Sequence, residues 1–537
     1  MQLVNLPKTP NRSLAQQIMR HYEQAKSDAM NWHSLYEEAY DYTQPYRGHF
    51  TNQDLLNYGE DKGRKVYDTT AVRAKGIFAS QVNSTMTPPF SRWISLEAGE
   101  LVPKAERESI NSGLQDLTNL LFSMLNRTNF NDTVYESYKD LSVGMFCLAV
   151  YEGFNDGEPF RFYNIPVRSL YPAEAPNGIV ENFFCDRFRL TIHDILQIWP
   201  NSQLPNFISS QAQDNELQTF DLIEGQIFDP TKANTDRAYF HFVLEPNTQS
   251  FLVSDFSPSK HFIISRWEKS GNDAFGIGPG ITALPSIKTL NKMYEYTLMG
   301  ASLSVAPPLL AYSSDQIDWR SKKITPHSIL QFKDRPMDGQ KLLEPLITEP
   351  NVQFGEFLMN DLRQQINNIF YAQPIGSIEQ NPKMTATEVL FRKQLALEEK
   401  GPAYDRLFRE FIRPLIDRLL YLLSKRGIVG QHIKVDGRMV EISYDSPLSS
   451  AQKLKDVQNF EQAYQTIQGI YGPQLAPLTT DPSKVIPFIE KNFNAKMDLF
   501  ATSDQIQAMM KQMAQRQEQQ AQLEALQQQP QQQAGAL

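Results

Sequence analysis

The chain has 537 residues, 41% hydrophobic and 11% aromatic, which suits a folded protein of about three to four ordinary domains or one large elongated subunit. A formal net charge of −9 argues against a basic nucleic-acid binder as a whole, while leaving room for local rings of lysine. Two cysteines, Cys147 and Cys185, make neither a disulfide framework nor a four-cysteine zinc site, and point to assembly in a reducing compartment. The opening MQLVNLPKTPNRS lacks the apolar core of a signal peptide. No run approaches the roughly 18 apolar residues that cross a bilayer, so a soluble protein is expected.

The periodicity predicts a helix over 13–42, with Ser13 as N-cap and Ile18, Tyr22, Ala25, Ala29, Trp32 and Tyr36 in helical register; Pro45 and Gly48 end it. A second helix starts near Asp68 and carries Val72, Ile77, Phe78, Val82 and Met86 up to Pro88-Pro89. Residues 91–96 alternate as a strand, and helices follow over 104–127 and 131–142. An apolar stretch at 143–151 then opens a region of short β-type runs at 161–164, 182–190, 220–228, 238–244 and 262–267, interrupted by a helical segment at 191–199. The texture is that of a mixed α+β body.

Residues 275–304 begin Phe-Gly-Ile-Gly-Pro-Gly and continue as a helix, with Leu284, Ile287, Leu290, Tyr294 and Leu298 on one face and Lys288, Lys292 and Glu295 on another. It stops at Ala306-Pro307-Pro308. Short strands at 309–312 and 329–332 flank a polar segment holding Lys322 and Lys323, and a second long helix covers 352–371. Helix, small β unit, helix suggests two struts carrying a cap. A loop at 373–384 leads to a capping box, Thr385-Ala386-Thr387-Glu388, and a helix that Pro402 and Pro414 must bend or break before Gly427 caps it. Helices are expected at 447–471 and 482–492. From Ser503 the chain turns weakly amphipathic and glutamine-rich, and is expected to order only against neighbours.

Gly276-x-Gly278-x-Gly280 lacks the spacing and following acid of a dinucleotide loop, and suggests a hinge before a helix. There is no Gly-Lys-Ser or Gly-Lys-Thr of a phosphate loop and no His-Glu-x-x-His. His193-Asp194 suits an ordinary helix start, and Cys147 a core position. Lys288 and Lys292 fit either a solvated helix face or a contact with nucleic-acid phosphates, as do Lys322, Lys323 and Lys383. No constellation supports an enzyme, and no cofactor is expected.

Four stretches carry a family likeness: VYDTTAVRAKGIFASQVNSTMTPPFSRWISL (66–96), FGIGPGITALPSIKTLNKMYEYTLMGASLSVAPPLL (275–310), MTATEVLFRKQLALEEKGP (384–402) and the 409–423 segment with Pro414-Leu415-Ile416. Their order and spacing resemble the head-to-tail connecting, or portal, proteins of short-tailed phages. The resemblance implies a mainly helical α+β portal-type fold, assembling as a dodecameric ring at one capsid vertex. It implies a wing (1–274), a first stem helix (275–304), a clip (305–351) and a second stem helix (352–372). A channel loop (373–384), a bent wing helix (385–440), a crown (441–502) and a C-terminal helical barrel with its glutamine-rich tail (503–537) follow. On that frame Lys288, Lys292 and Lys383 are DNA-channel candidates, and Trp319, Lys322 and Lys323 are clip candidates for terminase or adaptor contact. The implied partners are copies of the chain, double-stranded DNA, the terminase large subunit, scaffold and major capsid protein, tail adaptor and internal core proteins, with no membrane insertion. Assembly in the host cytoplasm and residence in the virion are implied too. A tail adaptor or other capsid-vertex protein is the rival reading, with a DNA-processing enzyme behind it.

Overall fold

In the computed structural model the chain forms two units, Met1–Ser443 and Tyr444–Leu537. The structure describes residue 6 and residues 11–47, 66–89, 91–99, 101–103, 106–174, 178–215, 217–233, 235–269, 271, 273–307, 309–312, 329–332, 343–345, 352–372, 400–430, 440–444, 447–471 and 485. Helix α1 (Arg12–Thr43) is capped by Asn11 rather than Ser13: the Leu14 amide donates to Asn11 Oδ1 at 2.9 Å, satisfying a helix-start N–H. Then come α2 (Thr70–Met86), β1 (Ile94–Ala98), α3 (Arg107–Leu125) and α4 (Phe130–Leu141).

The mixed body follows as β2 (Met145–Asn155), β3 (Glu158–Ile165), β4 (Leu170–Glu174), β5 (Val180–Leu190), α5 (Ile192–Ile198), α6 (Asn206–Asp214), β6 (Phe220–Phe228), β7 (Tyr239–Glu245), β8 (Ser250–Ser257) and β9 (Phe262–Arg266). These strands make an antiparallel sheet in the order β3-β2-β9 and another in the order β4-β5-β6-β7-β8. Strand β2 explains the unbroken apolar stretch, because both its faces are buried. Met145, Cys147, Ala149 and Tyr151 join the core shared with α1 and the five-stranded sheet. Phe146, on the other face, packs edge-on against Tyr138 and Phe411. Both cysteines are free and buried.

Two strands of the mixed body that periodicity misses, β4 and β8, are the two edges of the larger sheet. An edge strand tolerates Pro172 and polar residues such as Ser254 and Asp255, so its alternation is weak. His193-Asp194 does sit in a helix start: Thr191 and Asp194 form a capping box on α5.

One carboxylate ties the two sheets together. Glu224 is fully buried and accepts from Tyr151 OH at 2.6 Å, Arg187 Nε at 2.7 Å, His241 Nε2 at 2.8 Å and Trp199 Nε1 at 3.2 Å. Burial alone would raise its pKa, but Arg187 and His241 outweigh that and hold the carboxyl down at about 2.

Strands β10 (Glu268–Lys269) and β11 (Gly276–Ile277) pair and lead into α7 (Pro279–Val305). Next is a three-stranded sheet of β12 (Leu309–Tyr312), β13 (Ile329–Phe332) and β14 (Leu343–Pro345), with β12 central. Helix α8 (Val352–Ile369) follows. The stretch after it is described again from α9 (Gly401–Leu407), a π turn (Phe408–Ile412) and α10 (Arg413–Lys425). Pro402 lies in the first turn of α9, where a missing N–H costs nothing, whereas Pro414 follows the π turn with no break in the helical backbone, so its missing N–H falls inside a continuous helix. The π turn takes up the change of pitch before Pro414: the Arg413 amide donates to Phe408 O, five residues back. Gly427, with φ of +72°, closes α10 as expected. Strand β15 (Val440–Tyr444) pairs with β1. The second unit is described mainly as α11 (Pro447–Tyr471), on which Phe460 and Tyr464 stack. Apart from residue 485, the predicted 482–492 helix and everything from Ser503 lie outside the described residues.

Candidate functional site

The root of α7 is built on close backbone approach. The Gly278 and Gly280 amides donate to Val143 O at 2.8 Å and Ser142 O at 2.7 Å, and the Trp267 amide to Gly144 O at 2.9 Å. A Cβ on Gly278 would fall 2.6 Å from Ser142 O, and one on Gly276 would collide with Gly144 O. None of the three glycines has positive φ. Glycine is therefore required here by packing, in place of the conformational freedom expected of a hinge. Helix α1 closes over the same segment: Trp32 stacks on Phe275 at 5.6 Å, and Tyr36 OH donates to Gly276 O at 2.5 Å. Gly278→Ala should destabilise this joint by about 1–3 kcal/mol, because only backbone can yield to the new methyl group. Thermal unfolding of the purified chain reads that loss.

Helix α8 packs along α7, and a polar knot pins both to the start of α2. Asn291 Oδ1 accepts from the Tyr67 and Asp68 amides at 2.8 and 3.1 Å. Asp68 Oδ2 accepts Arg363 Nε and Nη2 at 2.9 and 2.8 Å, and Arg363 lies over the Tyr294 ring. Burial pushes the Asp68 pKa up, yet bonds from Thr70 and Arg363 bring it below the usual range. Sequence reading missed this knot. Its one visible signal is Asn291, a polar residue on the apolar face of α7.

Burial along α7 stops at that knot. Leu284, Ile287 and Leu290 are in the core, whereas beyond Asn291 no residue of the helix is buried. Tyr296, Leu298, Met299 and Val305 are 59%, 48%, 50% and 86% exposed, and Phe357 on α8 is 71% exposed. Apolar surface of this extent on a long helix is the kind that marks an interaction site.

The structure gives each channel candidate on α7 a carboxylate. Lys288 Nζ lies 2.5 Å from Glu38 Oε1, and Lys292 Nζ lies 2.8 Å from Glu295 Oε2 and 4.8 Å from the Tyr296 ring centre. Hydrogen bonds to Glu38 and Glu295 raise the two ammonium pKa values, so both lysines are cations at neutral pH. Lys383, Trp319, Lys322 and Lys323 lie outside the described residues, as does the 373–384 loop. Among the described residues no group of His, Cys, Asp or Glu could hold a metal ion, and no helix is long and apolar enough to cross a membrane.

Residues 15–499 match the model of the bacteriophage head to tail connecting protein family. The chain belongs to that family. It is 23% identical over 451 residues to the probable portal protein of Bordetella phage BPP-1, covering 81% of this chain and 79% of that protein. Identity to the portal protein of Salmonella phage epsilon15 is 21% over 455 residues, covering 82% of this chain and 80% of that one. Among solved structures, a chain from the virion of a native gene transfer agent particle is 11% identical, with a TM-score of 0.33 over 79% of this chain and 91% of that one.

Proposed function

We propose that copies of this chain close into a dodecameric ring at one capsid vertex and form the passage for double-stranded DNA in packaging and ejection. In this reading the chain is structural, with no catalytic role. The observation that carries it is α7, rooted in the body through Asn291 and bare beyond it. Burying a Leu, Met or Tyr side chain is worth about 1.5–3 kcal/mol, so a ring that covers the bare half gains at every subunit boundary. Helices α7 and α8 are the stem, 305–351 the clip with Trp319, Lys322 and Lys323 facing terminase and then adaptor, and 373–384 the channel loop with Lys383. The wing (1–274 and 385–440), crown (441–502) and barrel (503–537) complete the subunit. Scaffold, major capsid protein and internal core proteins are the remaining partners, and the assembled ring resides in the virion. Mass photometry and electron microscopy of the purified chain test this: closed rings are expected, and a monomer under every condition overturns it.

The pairing of Lys288 and Lys292 with Glu38 and Glu295 suits a conduit. Each ammonium already has an anion, so a passing phosphate exchanges with a carboxylate instead of filling an empty site, and DNA is not held fast. Lys288→Ala with Lys292→Ala should leave rings intact and lower DNA packaging or retention. Packaging at the unsubstituted level removes both lysines from the channel.

A further inference from the structure

Away from α7 and α8, a cavity of about 1180 Å³ opens beside β7, β8 and α10. Arg418 and His261 line it, and each is nine-tenths or more buried, at 3% and 5% exposure. Two other arginines around the sheets are matched by a carboxylate, the largely buried Arg187 by Glu224 and the fully buried Arg266 by Glu410. Arg418 is not. Its Nε donates to Val150 O at 3.3 Å, and its Nη1 to the hydroxyls of Ser257 and Ser259 at 3.0 and 3.4 Å, all neutral groups. Its Nη2 has no hydrogen-bond partner among the described residues. Glu152, Asp255 and Asp417 face it from beyond ion-pair distance. A guanidinium held this deep without an anion is costly, and the cost falls when an oxyanion takes the unused N–H groups.

His261 adds a second, independent sign. Its ring stacks on His241 at 4.4 Å and neither ring nitrogen is hydrogen-bonded among the described residues; Nδ1 is sealed from water, which leaves Nε2 as the nitrogen that can face the cavity. A buried imidazole with no ring hydrogen bond, beside a buried guanidinium that has hydroxyls, a carbonyl and the Tyr421 ring but no carboxylate, is a site with donors to spare. Glu224, the buried acid that holds the stacked His241, is already taken by four donors. The lining as a whole holds Arg12, Arg161, Arg418 and Lys425 against Glu152 and Asp255, four cations to two anions. That local excess lies on a chain of net charge −9.

We infer that this cavity binds a phosphate oxyanion, free or as a monoester, with Arg418 and His261 donating to it. A tetrahedral oxyanion offers acceptors in several directions at once, which suits a guanidinium edge and a ring N–H converging from different elements. The cavity exceeds one phosphate, and its remainder has room for water or for the rest of an ester. The inference stands apart from ring formation, because every residue in it belongs to one subunit.

Isothermal titration of the full-length chain at constant ionic strength tests it, with inorganic phosphate, adenosine 5′-monophosphate and chloride as probes. Saturable phosphate binding is expected with a Kd of about 1 mM or tighter. Arg418→Met and His261→Phe should each weaken it about tenfold or more, the loss expected of a hydrogen bond to a charged group. The Phe substitution keeps the stacked ring, so it reports on the nitrogens even if the Arg418 variant fails to fold. Tighter binding of the monophosphate identifies a phosphate ester as ligand; equal binding identifies the free ion. Heats from both probes that match chloride, or an unchanged affinity in a folded variant of either residue, overturn the proposal.

Discussion

Glu224→Gln should destabilise the mixed body by about 3–5 kcal/mol, the loss typical when one partner of a buried ion pair is removed. The carboxylate has no access to water and four donors converge on it. A carboxamide keeps the shape but sets its own N–H donors against some of those donors and leaves the largely buried Arg187 without an anion. The midpoint of urea unfolding reads the effect at neutral pH; a shift equivalent to less than about 1 kcal/mol contradicts it, being the range of an ordinary surface substitution. The pH dependence gives a second readout. Folding depresses this carboxyl from 4.5 to about 2. Its contribution, about 3 kcal/mol, is therefore present in full above the unfolded value and lost as the pH falls through the folded one. Wild type and variant should converge in stability as the solution is acidified from pH 5 towards about 2.

Leu298→Asp combined with Met299→Asp should abolish ring formation and leave the single chain folded. Both side chains are about half exposed, so neither substitution opens a hole in the subunit core. In the proposed ring they lie in a subunit contact. There the change forfeits about 1.5–3 kcal/mol of burial per side chain and adds a carboxylate that must be desolvated without a partner. The penalty recurs at every boundary of a closed ring, which makes assembly far more sensitive than folding. Circular dichroism and thermal unfolding should match wild type, while mass photometry shows monomer alone. Rings that persist with the double substitution locate the subunit contact elsewhere and remove the bare half of α7 from it.

The long elements were legible because their signals are local. Helix α7 announces itself by its apolar spacing and by proline and glycine around its ends, whereas 143–151 shows only as an apolar stretch, and the two buried faces of β2 make it a strand. What blurred was anything set by position within a sheet. The edge strands β4 and β8 escaped because Pro172, Ser254 and Asp255 are allowed where one side has no partner strand. The glycines before α7 suggest a hinge, and only the backbone of 142–144 lying against them shows that packing is what requires glycine there. Periodicity placed Leu298 on the apolar face with Leu284, and only burial shows that one is in the core and the other in water.

The candidate site divides in the same way. Amino-acid order alone was enough for the helix–β–helix arrangement, for the lack of any phosphate-loop or zinc-protease motif, and for the family, since each rests on residues a few positions apart. The partners of the charged groups were not available from it. Asp68 meets Arg363 across 295 positions, Lys288 meets Glu38 across 250, and Glu410 reaches Arg266 across 144. Arg418 stands without a carboxylate for the same kind of reason. Charge pairing acts over a few ångströms of space, and the fold alone decides which distant residues share them.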